Sequence, residues 1–117
     1  MNLTENPELK GIRDSCLAGM RDFMVESNVD YTEADIECCA AILDEHLVAI
    51  SSADNATSAA HCVQTTVIKL NELNNLVGGD LIETDQREKI CEFIISAGAL
   101  LGFNGKDEDV TEEWREW

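Results

Sequence analysis

Nucleophilic or metal-assisted chemistry in this chain would have to start from its two imidazoles, His46 and His61. A cysteine or serine nucleophile needs a histidine within hydrogen-bond reach, and a transition-metal site needs several imidazole, thiolate or carboxylate ligands at set spacing. If the chain makes a helical hairpin that turns near residues 53–54, the two rings lie at similar heights on adjacent helices, where Glu45 or Cys62 could join them around a metal. Two features argue against this. The residues three before the histidines are Leu43 and Ser58, so the Glu-x-x-His pair of carboxylate-bridged di-iron bundles is missing. His61 also lies roughly opposite the apolar Val63 on its helix and is expected to point outward. Surface histidines are therefore the expectation, with no catalytic residue, metal ligand or cofactor assigned.

Other chemistries fail on pattern. The chain has five cysteines, two of them adjacent (Cys38 and Cys39), and no Cys-x-x-Cys pair. An odd count without zinc spacing predicts free thiols and a reducing compartment, not a disulfide framework. Asp107 and Asp109 are spaced like calcium ligands but lack the central glycine and the closing glutamate. Gly78-Gly79 reads as a helix stop and not as a phosphate loop. With 24 acidic residues, pairs of carboxylates at catalytic spacing arise by chance and prove nothing. The chain is expected not to be an enzyme.

What remains is charge. The formal net charge is −16, from 24 acids against 8 bases. Nucleic acid and anionic membrane are disfavoured as partners because both are polyanions. Between Arg21 and Lys69 there is no lysine or arginine, while Asp22, Glu26, Asp30, Glu33, Asp35, Glu37, Asp44, Glu45 and Asp54 fall inside that interval. Solubility alone would intersperse both signs, since self-repulsion destabilises the compact state. A second acidic cluster lies at residues 107–116, beside Trp114 and Trp117. Tryptophans next to acids suit an interface anchor with a charged rim; the stronger alternative is that they close the end of the core.

The elements that position these residues read as helices. Thr4 or Asn6 caps a first helix, with Pro7 in its first turn and an apolar face through Leu9, Ile12, Cys16, Met20, Phe23 and Met24 to about Ser27. Gly11 and Gly19 either weaken it or mark close approach of a neighbour. Thr32 caps a second helix within Tyr31–Ser52, apolar at Ile36, Cys39, Ala40, Leu43, Leu47 and Ile50, with Glu33, Glu37, Asp44 and Glu45 off that stripe. Asp54 or Asn55 starts a third helix, ended by Gly78-Gly79. Thr84 or Asp85 starts a fourth that runs to about Leu101, where Gly102 turns left-handed and Phe103 folds back. Thr111 caps a last helical turn over Glu112 to Trp117. No segment alternates with period two, and the longest apolar stretch, Ile90 to Phe103, is broken by Glu92 and too short to span a bilayer. No early apolar run resembles a signal peptide. The prediction is a single domain over residues 1–117: an all-α, antiparallel bundle of four main helices plus a short C-terminal helix.

A small, acidic, helical, cytoplasmic domain with a one-signed face resembles the bacterial immunity proteins of contact-dependent and other polymorphic toxin systems. The resemblance covers size, charge and helical character, and no motif. It implies a protein that binds a basic, nuclease-like toxin domain and covers its active site. On that reading Glu33, Glu37, Asp44 and Glu45, flanked by Asp30 and Asp54 and with Trp114 and Trp117 as anchors, are the partner-binding residues. The alternatives are a DNA mimic or adaptor that occupies a basic regulatory protein, a metal-binding bundle using His46 and His61, and a self-associating structural protein. The sequence leaves the oligomeric state open.

Overall fold

In the computed structural model, which covers residues 1–117, the helices start and stop where local capping chemistry directs them: α1 Pro7–Glu26, α2 Glu33–Ser51, α3 Ala56–Leu76 and α4 Thr84–Leu100. Asn6 accepts from the Leu9 amide at the start of α1. The Asp35 carboxylate reaches back to the Thr32 amide at the start of α2. Asn55 and Ser58 bond each other's amides reciprocally at the start of α3. Both glycine stops behave as expected. Gly78 and Gly102 have φ of 79° and 80°, and the amides of Gly79 and Phe103 close six-residue loops onto Asn74 O and Gly98 O, satisfying carbonyls the helix ends would otherwise orphan. The start of α4 differs from the prediction. Its N-cap is Glu83, which makes no side-chain capping bond; neither Thr84 nor Asp85 caps.

The four helices form an all-α bundle without strands. α2 lies between α1 and α3, and α4 lies along α1. Leu9, Met20, Ile36, Leu43, Leu70, Ile90, Phe93 and Ile94 are fully buried between them, each stabilising the fold by roughly 1.5–3 kcal/mol through removal of apolar surface from water. The buried Tyr31 phenol donates to Met20 O at 2.8 Å and ties the α1–α2 loop to the core.

α3 and α4 do not pack along each other; residues 101–117 occupy the seam between them. Asn71 of α3 is buried and grips this segment at both edges of its amide, donating to Trp114 O at 2.8 Å and accepting from the Glu116 amide at 3.1 Å. From α4, Cys91 Sγ lies 3.4 Å from the Oγ1 of the fully buried Thr111. The same contacts explain why the predicted C-terminal helix is absent. The amides of Trp114 and Arg115 both bond back to Thr111 O, which makes one turn over residues 110–114. The next amide, on Glu116, is taken by Asn71, and so is the Trp114 carbonyl. A side chain from α3 thus replaces the bonds that would propagate a helix, and one turn is too short to persist alone.

Candidate functional site

The exposed side of α2 carries Glu33, Glu37, Asp44 and Glu45 as predicted, but the face is not uniformly acidic or uncompensated. Cys38, Ala41 and Val48 are exposed beside them. Cations from both neighbouring helices reach across. Arg13 of α1 donates from Nε and Nη2 to the two Asp44 oxygens at 2.8 and 3.0 Å, and the hydrogen bonds to Asp44 hold its guanidinium above its ordinary pKa. Arg21 pairs with Glu33 at 2.7 Å. Lys69 of α3 pairs with Glu45 at 3.2 Å. Of the four acids only Glu37 has no ion pair. The stretch without lysine or arginine is a property of the sequence order; in space its central helix is flanked by positive charge.

The flanking residues sit apart from that face. Asp30 is exposed in the α1–α2 loop, with its carboxylate beside Gly78 at the end of α3. Asp54 is exposed, its amide accepted by Ser58 Oγ. Trp114 and Trp117 are half-buried and packed on the core, and Arg115 lies 5.6 Å over the Trp117 ring while pairing with Asp109. Trp114 lines a pocket with Ile50 at the end of α2 and Ala59, Ala60 and Val63 of α3.

A denser unpaired acidic site lies where the C-terminal half of α1 meets the first turns of α4. There Asp22 and Glu26 face Glu83, Asp85 and Glu88 across a groove of about 740 Å³, with Lys89 the one cation in its lining. None of these five carboxylates takes part in an ion pair. On the α1 side its lining includes the small residues Ser15, Ala18 and Gly19. At Gly19 an added Cβ would stand 2.7 Å from Gln86 Nε2, so Gly19 marks a close helix approach, as one of its two sequence readings held; Gly11 has open space around it. Burial first, then the charges of Glu83 and Asp80, push the nearby Tyr31 phenol up. Sequence reasoning passed over this groove. Its signal was present: Asp22 and Glu26 are like charges four apart, and the last turn of α1 has no base, which is the wrong sign for a helix C-terminus.

The histidines separate completely. His61 is exposed. His46 is not a surface residue: it is 1% exposed, with Nδ1 2.6 Å from Thr66 Oγ1 on α3 and its ring 6.4 Å from that of Phe93 on α4. Its position between Leu43 and Leu47 places it on the buried stripe of α2. Burial lowers its pKa to about 4, with the Cys62 carbonyl acting the other way. The metal site imagined from His46, His61, Glu45 and Cys62 does not form, because one ring is inside and the other outside. No group of three or more His, Cys, Asp or Glu side chains is placed to hold a metal ion. All five cysteines are free, and burial pushes Cys16 up to about 12 and Cys39 higher still, which leaves those thiols protonated small hydrophobes. No helix is long and apolar enough to cross a membrane.

Comparison with protein-family models, with curated proteins and with solved structures finds no match to this chain.

Proposed function

We propose that the chain is a non-enzymatic binding protein for a basic protein, of the immunity type: an acidic inhibitor that neutralises a nuclease-like toxin domain by covering its active site. The observation that carries this reading is the charge left over after folding. Five of the 24 acidic side chains, Asp14, Glu33, Asp44, Glu45 and Asp109, engage the cations Arg13, Arg21, Lys69 and Arg115. The other 19 have no ion pair, against four unpaired bases. A surface so one-signed attracts a cationic partner at long range and loses that attraction as salt is added. The sealed position of His46 supports a binding role over a catalytic one, since its ring cannot reach a substrate in solution. Five free thiols, two of them deep in the core, suit a reducing, cytoplasmic setting.

Co-expression with the product of the gene adjacent to its own tests the reading. The expected result is a complex that forms at low salt, weakens as salt rises and relieves the toxicity of a basic nuclease domain. A partner that is itself acidic, or a complex indifferent to salt, overturns it. A basic partner without toxicity assigns the same surface to an adaptor or DNA-mimic role.

A further inference from the structure

The proposed function leaves the docking point undefined, and α2, the obvious surface in the sequence, has most of its carboxylates already engaged. The α1–α4 groove has not. Of its 13 lining residues, Cys16, Ala18 and Phe23 are the hydrophobic ones. The Glu83 and Asp85 carboxylates have a local reason to sit there, since negative charge suits the first turn of α4. Asp22 and Glu26 have none. They repel each other at four-residue spacing and lie toward the negative end of α1, and both effects disfavour the helix.

An independent feature lies at the floor. Gln86 is 8% exposed and lines the groove, and its side-chain amide rests over Gly19. Only its backbone carbonyl is used within the protein, by the Cys16 thiol at 3.9 Å. That side-chain amide makes no hydrogen bond within the protein and is not sealed off from the groove, so a group entering the groove can bond to it. A group that would satisfy both floor and walls needs positive charge and several donors. A guanidinium has both: it bonds a carboxylate with two parallel donors and keeps others free for an amide oxygen, whereas an ammonium is a compact point charge. Arg13 already shows that two-donor geometry on Asp44.

We propose that the α1–α4 groove is the docking point for an arginine of the basic partner, its guanidinium seated against the Gln86 side-chain amide and held by Asp22 and Glu26 on one side and Asp85 and Glu88 on the other. This rests on the reading of a basic protein partner and deepens it.

The test is a nuclear magnetic resonance titration of the isotope-labelled full chain with an oligoarginine peptide, run in parallel with oligolysine. Binding is expected to shift the Gly19 amide and the Gln86 side-chain amide, with arginine tighter than lysine. Two double variants remove equal charge: Asp22→Asn with Glu26→Gln in the groove, and Glu37→Gln with Asp44→Asn on α2. The groove pair and, separately, Gln86→Met should each weaken binding roughly tenfold, as expected for loss of a charge-assisted hydrogen bond, while the α2 pair changes it far less. Equal losses from both pairs, with Gln86→Met silent, would mean a diffuse field and overturn the groove while leaving the basic-partner reading intact. Loss confined to the α2 pair does the same and returns the docking point to α2. No binding of either peptide overturns both.

Discussion

Acid should begin to destabilise this protein as the pH falls through about 6.5, and His46 should be the cause. Its ring is 1% exposed, and burial lowers its pKa from 6.5 to about 4. The unfolded chain therefore takes up a proton at this residue that the folded chain refuses. The sign follows from linkage: stability rises with pH wherever the unfolded state binds more protons. His46 thus contributes nothing adverse above about pH 7, begins to cost stability as pH falls through 6.5, and reaches its full penalty below about pH 4. The full penalty is about 3 kcal/mol, of which about 2 kcal/mol has been lost at pH 5. For a domain whose total stability is expected to be about 5–15 kcal/mol, that is a large fraction.

Urea denaturation at pH 7 and pH 5 measures it directly, because the difference between the two extrapolated free energies isolates the protonation term from the cavity that any substitution creates. In His46→Asn, which keeps a polar group near the Nδ1 position facing Thr66 Oγ1, the loss between pH 7 and pH 5 should nearly vanish even though the variant is less stable at both. His61→Asn, at an exposed position, is the control and should keep the wild-type loss. Asp109 does not confuse the window. Burial pushes its carboxyl up, but hydrogen bonds from Thr111 and the charge of Arg115 more than offset this, so the net shift is downward, and its contribution is lost only below its ordinary carboxylate range. If His46→Asn loses as much stability between pH 7 and pH 5 as the wild type, the argument from the buried ring is wrong.

Three further perturbations follow from the fold. Asn71→Ala removes both clasps on the C-terminal segment and leaves buried backbone groups unpaired, a cost of roughly 2–3 kcal/mol; hydrogen exchange of the Glu116 amide should accelerate and Trp114 fluorescence should shift to the red. Gly98→Ala drives a methyl group into the Asn104 side chain, which lies against the α4 backbone and donates to Ile95 O; a loss of about 1–3 kcal/mol in thermal or urea unfolding is expected, substantially restored by adding Asn104→Ser. Arg13→Gln breaks the pair with Asp44, whose side chain is 57% exposed. Stability should fall by no more than about 1 kcal/mol, and a larger loss would mean that the arginine stem, not its charge, supports the α1–α2 contact.

The parts of this fold that were legible in the sequence are those governed by chemistry within one turn of chain. Asn6, Thr32 with Asp35, and Asn55 with Ser58 start helices because their side chains or backbones reach amides three residues away. Gly78 and Gly102 end them because only glycine adopts positive φ without strain. Burial of His46 was also within reach, since it continues the stripe through Leu43, Leu47 and Ile50; treating histidine as a polar residue hid it. The fate of residues 112–117 was not legible. Local sequence favours a helical turn there, and the outcome is decided by Asn71, which is distant in the chain and competes for the same amide and carbonyl.

The acidic surface illustrates the same limit more sharply. A run without lysine or arginine describes order along the chain, while screening depends on which helices lie alongside. α2 is central, so both neighbours can place cations on it, and Arg13, Arg21 and Lys69 do so. The α1–α4 groove is built from helix ends at one edge of the bundle, where no third helix contributes a base, and Lys89 alone stands among five carboxylates. The unpaired charge therefore concentrates where the packing gives it no neighbour, and not where the sequence is most one-sided. An arginine arriving from outside would meet at that edge what Arg13 supplies to Asp44 from within. The electrostatic driving force for a basic partner should accordingly be strongest at the α1–α4 edge, and measured salt dependence should respond more to substitution of Asp22 and Glu26 than to loss of Glu33 or Glu45, whose charges are already matched.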